Sequence, residues 1–145
     1  MTTATQLNIV LPNVPGSLAK LCDLLRSAEV NIEAISCSNS NDTEDGAASV
    51  LHLIVDDIET AKILLRPVGI ITTNTLLAFK LKNKPGAIAQ VARLCAGGNL
   101  NITQIYSTTN GKEAMVYVSV DDTERAIALF GRKGATTMTA LVSTR

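Results

Sequence analysis

The sequence repeats itself. Laying residues 7–36 over 77–106, a shift of 70, pairs the two segments without a gap, and ten of thirty positions are identical: Leu7, Leu11, Asn13, Pro15, Gly16, Ala19, Leu24, Asn31, Ile32 and Ile35. Farther on, 55–70 aligns with 120–135 at a shift of 65, with seven identities that include Val55-Asp56-Asp57 against Val120-Asp121-Asp122. An internal duplication restricts a chain of 145 residues to two copies of one small unit, the first carrying five extra residues in its middle loop. The expected domains are therefore 1–73 and 74–145, with only Thr73-Asn74-Thr75 between their terminal strands.

Each copy reads strand, helix, strand, strand, helix, strand. Leu7, Ile9 and Leu11 alternate with Asn8 and Val10, as Leu77, Phe79 and Leu81 do with Ala78, Lys80 and Lys82, so strand one buries one face. Helix one carries a stripe at Leu18, Leu21, Cys22, Leu25 and Ala28, matched by Ile88, Val91, Ala92, Cys95 and Gly98. Strand two is expected near 31–38 and 101–108, strand three at 48–55 and 114–120, and strand four at 70–73 and 135–142. The loop between strands two and three is long and polar in the first copy, Asn41-Asp42-Thr43-Glu44-Asp45-Gly46 at its centre, and a tight hairpin, Thr109-Asn110-Gly111-Lys112, in the second. Helix two opens on Asp56 with Glu59, or Asp121 with Glu124, which reads as an acidic cap. The fold class is α+β: two ferredoxin-like βαββαβ sandwiches in tandem, with antiparallel sheets and helices on one face. The other face is left for water or for packing, and Val10, Val50, Ile54 and Met115 are expected on it.

Both copies place the same turn between strand one and helix one: Asn13-Val14-Pro15-Gly16 and Asn83-Lys84-Pro85-Gly86. Pro15 and Pro85 are expected at the first helical position, which does not need the missing N–H. Such a turn presents open backbone N–H groups to a small anion or zwitterion. Asn both donates and accepts, and Gly leaves the backbone open to close approach. The conformational alternative is that Asn13 caps the turn, Gly16 supplies special dihedrals and Asn31 bridges a loop.

Composition removes several function classes. Lys+Arg and Asp+Glu balance at 13 each, leaving no broad field to attract nucleic acid or an acidic membrane. An RNA-binding version of the fold would need aromatic and basic residues on its middle strands, where Ala114–Val120 offers one Tyr and no Arg. A soft-metal carrier would need paired thiolates in the first turn. The 41–46 loop has the look of a calcium loop, but His52 occupies the position of the bidentate Glu, so no metal site is expected. His52, the only histidine, has no nucleophile or acid at a defined spacing and reads as structural. Cys22, Cys37 and Cys95 form no C-x-x-C; Cys22 and Cys95 read as inert core residues of a reduced, cytoplasmic protein. No basic-then-apolar leader and no run of 18 apolar residues is present, so neither a signal peptide nor a membrane span is expected.

The turn and its partner resemble a known family. Leu11-Pro12-Asn13-Val14-Pro15-Gly16-Ser17-Leu18 followed by Asn31-Ile32, and Leu81-Lys82-Asn83-Lys84-Pro85-Gly86-Ala87-Ile88 followed by Asn101-Ile102, resemble the ACT domain, the βαββαβ module that binds amino acids in regulators of amino-acid metabolism. The spacing is most like the ACT domain of phosphoglycerate dehydrogenases, where two asparagines hold a serine effector, and the resemblance runs through almost the whole chain, twice. It implies a stand-alone tandem ACT protein whose ligand-binding residues are Asn13, Val14, Pro15, Gly16, Ser17, Leu18, Asn31 and Ile32 in the first copy and Asn83, Lys84, Pro85, Gly86, Ala87, Ile88, Asn101 and Ile102 in the second. Leu11 and Leu81 stand where that family has a polar side chain and are expected to turn into the core, so serine does not carry over as the effector. Val14 against Lys84 makes the copies unequal, and the first is expected to be the better site.

The expected function is a non-enzymatic amino-acid sensor, a homodimer with ligands near ACT–ACT interfaces, without catalytic residues or cofactors, acting on itself or on a metabolic enzyme or regulator. The alternative is an interaction module or regulatory subunit without a ligand of its own.

Overall fold

A computed structural model describes residues 1–40 and 48–131. The centre of the polar loop, Asn41–Gly46, and the strand expected at 135–142 lie outside the described residues. The elements run β1 (Thr2–Pro12), α1 (Ser17–Ser27), β2 (Ile32–Ser40), β3 (Ala48–Val55), α2 (Ile58–Leu65), β4 (Ile71–Lys82), α3 (Ala87–Gly97), β5 (Ile102–Thr109), β6 (Glu113–Val120) and α4 (Thr123–Gly131). This is the expected α+β pattern, antiparallel strands and helices in a repeated ferredoxin-like order. One boundary differs: fourth strand, connecting residues and next first strand are one continuous β4, because Thr73 and Thr75 are β-branched and nothing there breaks a strand.

The chain divides into two compact units, Thr5–Asn74 and Met1–Ala4 together with the residues from Thr75 onward. In the first, β3 pairs with both β1 and β2; in the second, β6 pairs with both β4 and β5. The registers correspond position by position, Asn8 opposite His52 where the second unit has Ala78 opposite Tyr117.

Each unit has its own aliphatic core. Leu7, Ile9, Leu21, Leu25, Leu51, Leu53, Ala61 and Leu65 form the first, and Leu77, Phe79, Val91, Cys95, Val116, Val118 and Ala126 the second. Leu11 and Leu81 are buried in these clusters. The helix-one stripe is narrower than its apolar spacing suggests: Leu18 and Ile88 are exposed at 46% and 49%, Ala92 is exposed and Cys22 only half-buried. Leu18 and Ile88 sit in the first helical turn, where the chain is only beginning to lie down on the sheet.

The second helices are capped one residue later than the sequence suggests. Asp57 accepts from Thr60 N at 3.1 Å, and Asp122 accepts from Arg125 N at 2.9 Å. Asp56 and Asp121 are thereby free for another task. The sheet face away from the helices is also less bare than expected. Val10 is 40% exposed opposite half-buried Val50, but Met115 is half-buried and Ile54 is 3% exposed.

On that face the units differ in chemistry. The first carries a polar network in which His52 Nδ1 meets Asn8 Oδ1 at 2.7 Å, Gln6 Nε2 donates to the same oxygen at 2.8 Å, and Asn8 Nδ2 donates to Asn74 Oδ1 at 2.9 Å. Since Asn8 Oδ1 can only accept, Nδ1 carries the histidine proton, leaving Nε2 to face Ser38 Oγ at 3.4 Å. The second unit holds Leu76, Ala78 and Tyr117 at the positions of Gln6, Asn8 and His52, all buried, with the Tyr106 and Tyr117 rings 5.5 Å apart. Burial, with a smaller contribution from Tyr117, pushes the Tyr106 hydroxyl pKa well up.

Candidate functional site

The shared Pro-Gly pair is first of all a turn. Ser17 N donates to Val14 O at 3.2 Å across Pro15-Gly16, and Gly16 has φ 92° and ψ −14°. Ala87 N donates to Lys84 O at 3.2 Å across Pro85-Gly86, with Gly86 at φ 86° and ψ −5°. These are type II turns, which set Pro at the second position and need a positive φ at the third. The helices begin immediately after the glycines, so Pro15 and Pro85 stand just before the helix cap and not at the first helical position.

The turn leaves donors open. The earliest helical bonds are Lys20 N to Gly16 O and Gln90 N to Gly86 O, so among the described residues the N–H groups of Leu18 and Ala19, and of Ile88 and Ala89, have no backbone acceptor. Among the described residues no side chain caps either helix, and Asn13 makes no cap bond to α1. Exposed Val14 and Leu18 flank the first turn, exposed Lys84 and Ile88 the second.

Asn31 and Asn101 lie at the other end of the same helices, where the chain re-enters the sheet. Eleven residues at 1.5 Å per residue separate the two ends by about 16 Å. One amino acid cannot touch Asn13 and Asn31 of the same unit. The structure therefore places all sixteen sequence-predicted residues in two groups per unit: Asn13–Leu18 and Asn83–Ile88 at the turns, Asn31-Ile32 and Asn101-Ile102 at the far ends.

The carboxylates freed from capping hold the far ends. Asp56 Oδ1 accepts from Asn31 N at 2.9 Å and Asp121 Oδ1 from Asn101 N at 3.0 Å, while Asp56 N and Asp121 N return bonds to the Asn31 and Asn101 carbonyls. Repetition of Val-Asp-Asp in both copies was the sequence signal for this role. The side chains then part company. Asn101 Nδ2 donates to Asp121 Oδ2 at 2.9 Å, and the bonds from Asn101, its side chain foremost, hold the Asp121 carboxyl below the usual carboxylate range. The Asn31 amide has no hydrogen bond among the described residues.

The turn asparagines differ in the same way. Asn83 Nδ2 donates to Gly111 O at 2.9 Å, and its N–H to Lys112 O, tying the turn to the β5–β6 hairpin. Asn13 has no such bond among the described residues, and the corresponding loop of its own unit, 41–47, lies outside them.

A depression of about 470 Å³ opens beside Asn31, lined by Cys22, Leu25, Arg26, Glu29, Val30, Asn31 and Ile32. Arg26 and Glu29 were not singled out by the sequence, since neither is matched in the second copy, where Ala96 and Asn99 stand instead. Among the described residues Arg26 is held by an exposed contact of its Nε with Asp23 at 3.4 Å. In the second unit a smaller depression of about 290 Å³ lies between β4, β5 and β6 beside the Lys80–Glu113 ion pair, and none of the expected site residues lines it.

His52 is half-buried in the polar network, and burial lowers its pKa. Cys95 is buried, which raises its thiol pKa. Among the described residues no group of three metal-ligating side chains gathers, and no helix is long and apolar enough to cross a membrane.

The family model described as "ACT domain pair" matches residues 1–134. The chain belongs to that family. Among solved structures it is similar to protein BT0572 from Bacteroides thetaiotaomicron, with a TM-score of 0.79 at 24% identity over 91% of this chain and 89% of that one. It is also similar to the regulatory subunit of aspartate kinase from Thermus thermophilus in its ligand-free form, TM-score 0.62 at 18% identity over 90% and 94% of the two chains. The corresponding subunit from Thermus flavus gives a TM-score of 0.57 at 18% identity over 90% and 91%. At these identities the likeness is one of fold. No curated protein matches the chain. The paired ACT units account for nearly the whole sequence, as the doubled turn implied.

Proposed function

We propose that this ACT pair is a regulatory amino-acid sensor without catalytic activity of its own, and that its first unit is the one that binds the effector. The observation that carries this reading is the unequal use of the far-end asparagines: the Asn101 side chain is committed to Asp121, while the Asn31 amide has no hydrogen bond among the described residues. An amino acid needs acceptors for its ammonium and donors for its carboxylate, and the open Asn31 amide can serve as either, whereas the Asn101 amide nitrogen is already held by Asp121. The open Leu18 and Ala19 N–H groups at the Gly16 turn suit the carboxylate.

Because Asn13 and Asn31 stand at opposite ends of α1, each supplies half of a site, and the other half comes from another ACT unit. Effector binding is then linked to association, in a homodimer or with a metabolic enzyme or regulator, in the cytoplasm. The aspartate kinase regulatory subunits of like fold are, by their names, regulators of an enzyme, which is in keeping with such a role. A thermal-shift screen of the twenty amino acids at millimolar concentration tests the reading. Ligand binding to the native state raises the melting temperature once its concentration exceeds the Kd. A shift with one or a few amino acids is expected, and none with any of them would refute it.

A further inference from the structure

We infer that the depression beside Asn31 is the primary grip on the effector and that Arg26 and Glu29 make it selective for a zwitterionic α-amino acid with an apolar side chain. This rests on the sensor reading above and deepens it. At about 470 Å³ the depression, open to solvent, has room for one amino acid. Its polar groups are a guanidinium, a carboxylate and an amide, and the rest of its wall is Cys22, Leu25, Val30 and Ile32. Arg26 meets the α-carboxylate in a charge-assisted pair, Glu29 meets the α-ammonium, and the Asn31 amide bonds to either. The wall left for the side chain is thiol and aliphatic, half-buried Cys22 and Ile32 over buried Leu25 and Val30, and the nearby Asp56 carboxylate is already taken by the Asn31 N–H. A charged or strongly polar side chain would lose water there without gaining a partner.

Glu29 is also where α1 ends: its N–H donates to Arg26 O at 3.1 Å and Val30 N to Leu25 O at 3.0 Å, a Schellman motif that sets this position in the left-handed region. Glu29 has φ 58°, and its counterpart Asn99 has φ 52°. Asn occupies that region with little cost because its short side chain bonds locally; Glu gains no such relief. The first unit thus keeps a less comfortable residue at the rim of the depression where the second has the comfortable one. The other charged residue of the site follows the same division, Arg26 against Ala96.

The test transplants the second unit into the first in the full chain. Arg26→Ala and Glu29→Asn install the residues of the second copy, and both positions are exposed, so neither substitution disturbs the core. Wild-type protein is expected to be stabilised by aliphatic amino acids such as leucine, isoleucine or valine, and not by their methyl esters or N-acetyl derivatives, which lack one charge. Each substitution is expected to weaken binding by about 10- to 100-fold, the effect of losing a hydrogen bond to a charged group. Ligand-free Glu29→Asn protein is expected to melt no lower than wild type, because Asn takes the left-handed position at the helix end at least as well, so that lost binding in this variant is not lost fold. Binding of an aliphatic amino acid unchanged in both variants, or a wild-type preference for a charged amino acid, would overturn the assignment of this site while leaving the sensor reading in place. No binding of any amino acid would overturn both.

Discussion

Asn101 hands its side-chain amide to Asp121 Oδ2 at 2.9 Å and its backbone N–H to the other oxygen at 3.0 Å, so one carboxylate clamps the start of β5 twice. Asn31 meets Asp56 through the backbone alone. This single difference between identical residues in duplicated units separates a structural asparagine from one whose side chain is open.

Asp121→Ala should therefore lower the melting temperature more than Asp56→Ala, since two bonds are lost against one. The Asp121 pKa is depressed from 3.8, chiefly by the Asn101 side-chain bond. A carboxyl with a depressed folded pKa contributes stability that is present above its unfolded pKa and disappears as pH falls through the folded one. The gap in melting temperature between wild type and Asp121→Ala should be full at pH 7 and close as the pH falls below 3.8 and through the folded value. A gap that persists in acid would contradict the role given to the carboxylate.

His52 titrates with the opposite consequence for the charged form. Burial lowers its folded pKa below 6.5, so between those two pKa values the unfolded chain binds more protons than the native one. Stability from this group falls as pH drops through 6.5 toward the folded value. Protonating Nε2 also turns its side facing Ser38 from acceptor to donor. His52→Gln should flatten the loss of melting temperature between pH 7.5 and 5 relative to wild type.

The burial of helix one gives a sharp contrast between neighbours. Leu21 and Leu25 are fully buried, and truncation to Ala should cost about 2–5 kcal/mol each in chemical denaturation. Leu18, 46% exposed in the same apolar series, should cost about 0.5 kcal/mol or less. Equal losses at Leu18 and Leu25 would mean that the helix packs along the broader stripe.

Gly16→Ala and Gly86→Ala isolate the cost of the turn dihedral. Both glycines have φ near 90°, and an added Cβ meets nothing within 4 Å, so no steric contact confuses the reading. Each substitution should destabilise by about 1–2 kcal/mol through the backbone alone. Neutral substitutions would show that the type II turn is not maintained.

Much of this was legible in the sequence, for identifiable reasons. Alternation at Leu7, Ile9 and Leu11 and the 70-residue repeat fixed the element order, because both follow from strand geometry and common origin. The capping of α2 was misplaced by one residue because Asp56 and Asp57 have the same chemistry, and only the fold decides which one faces the helix and which faces Asn31. The exposure of Leu18 and Ile88 was hidden because periodicity reports a face but not where along it the helix meets the sheet. Arg26 and Glu29 were invisible for a different reason. A search for repeated residues finds what two units share, and these two set the units apart.

Calorimetric titration of the stabilising amino acid into wild type, Asn31→Ala and Asn101→Ala tests the central claim most directly. Binding by the first unit predicts one amino acid per chain in wild type, loss of binding in Asn31→Ala, and unchanged affinity and stoichiometry in Asn101→Ala despite a lower melting temperature. Two amino acids per chain, or equal loss of binding in the two variants, would contradict it.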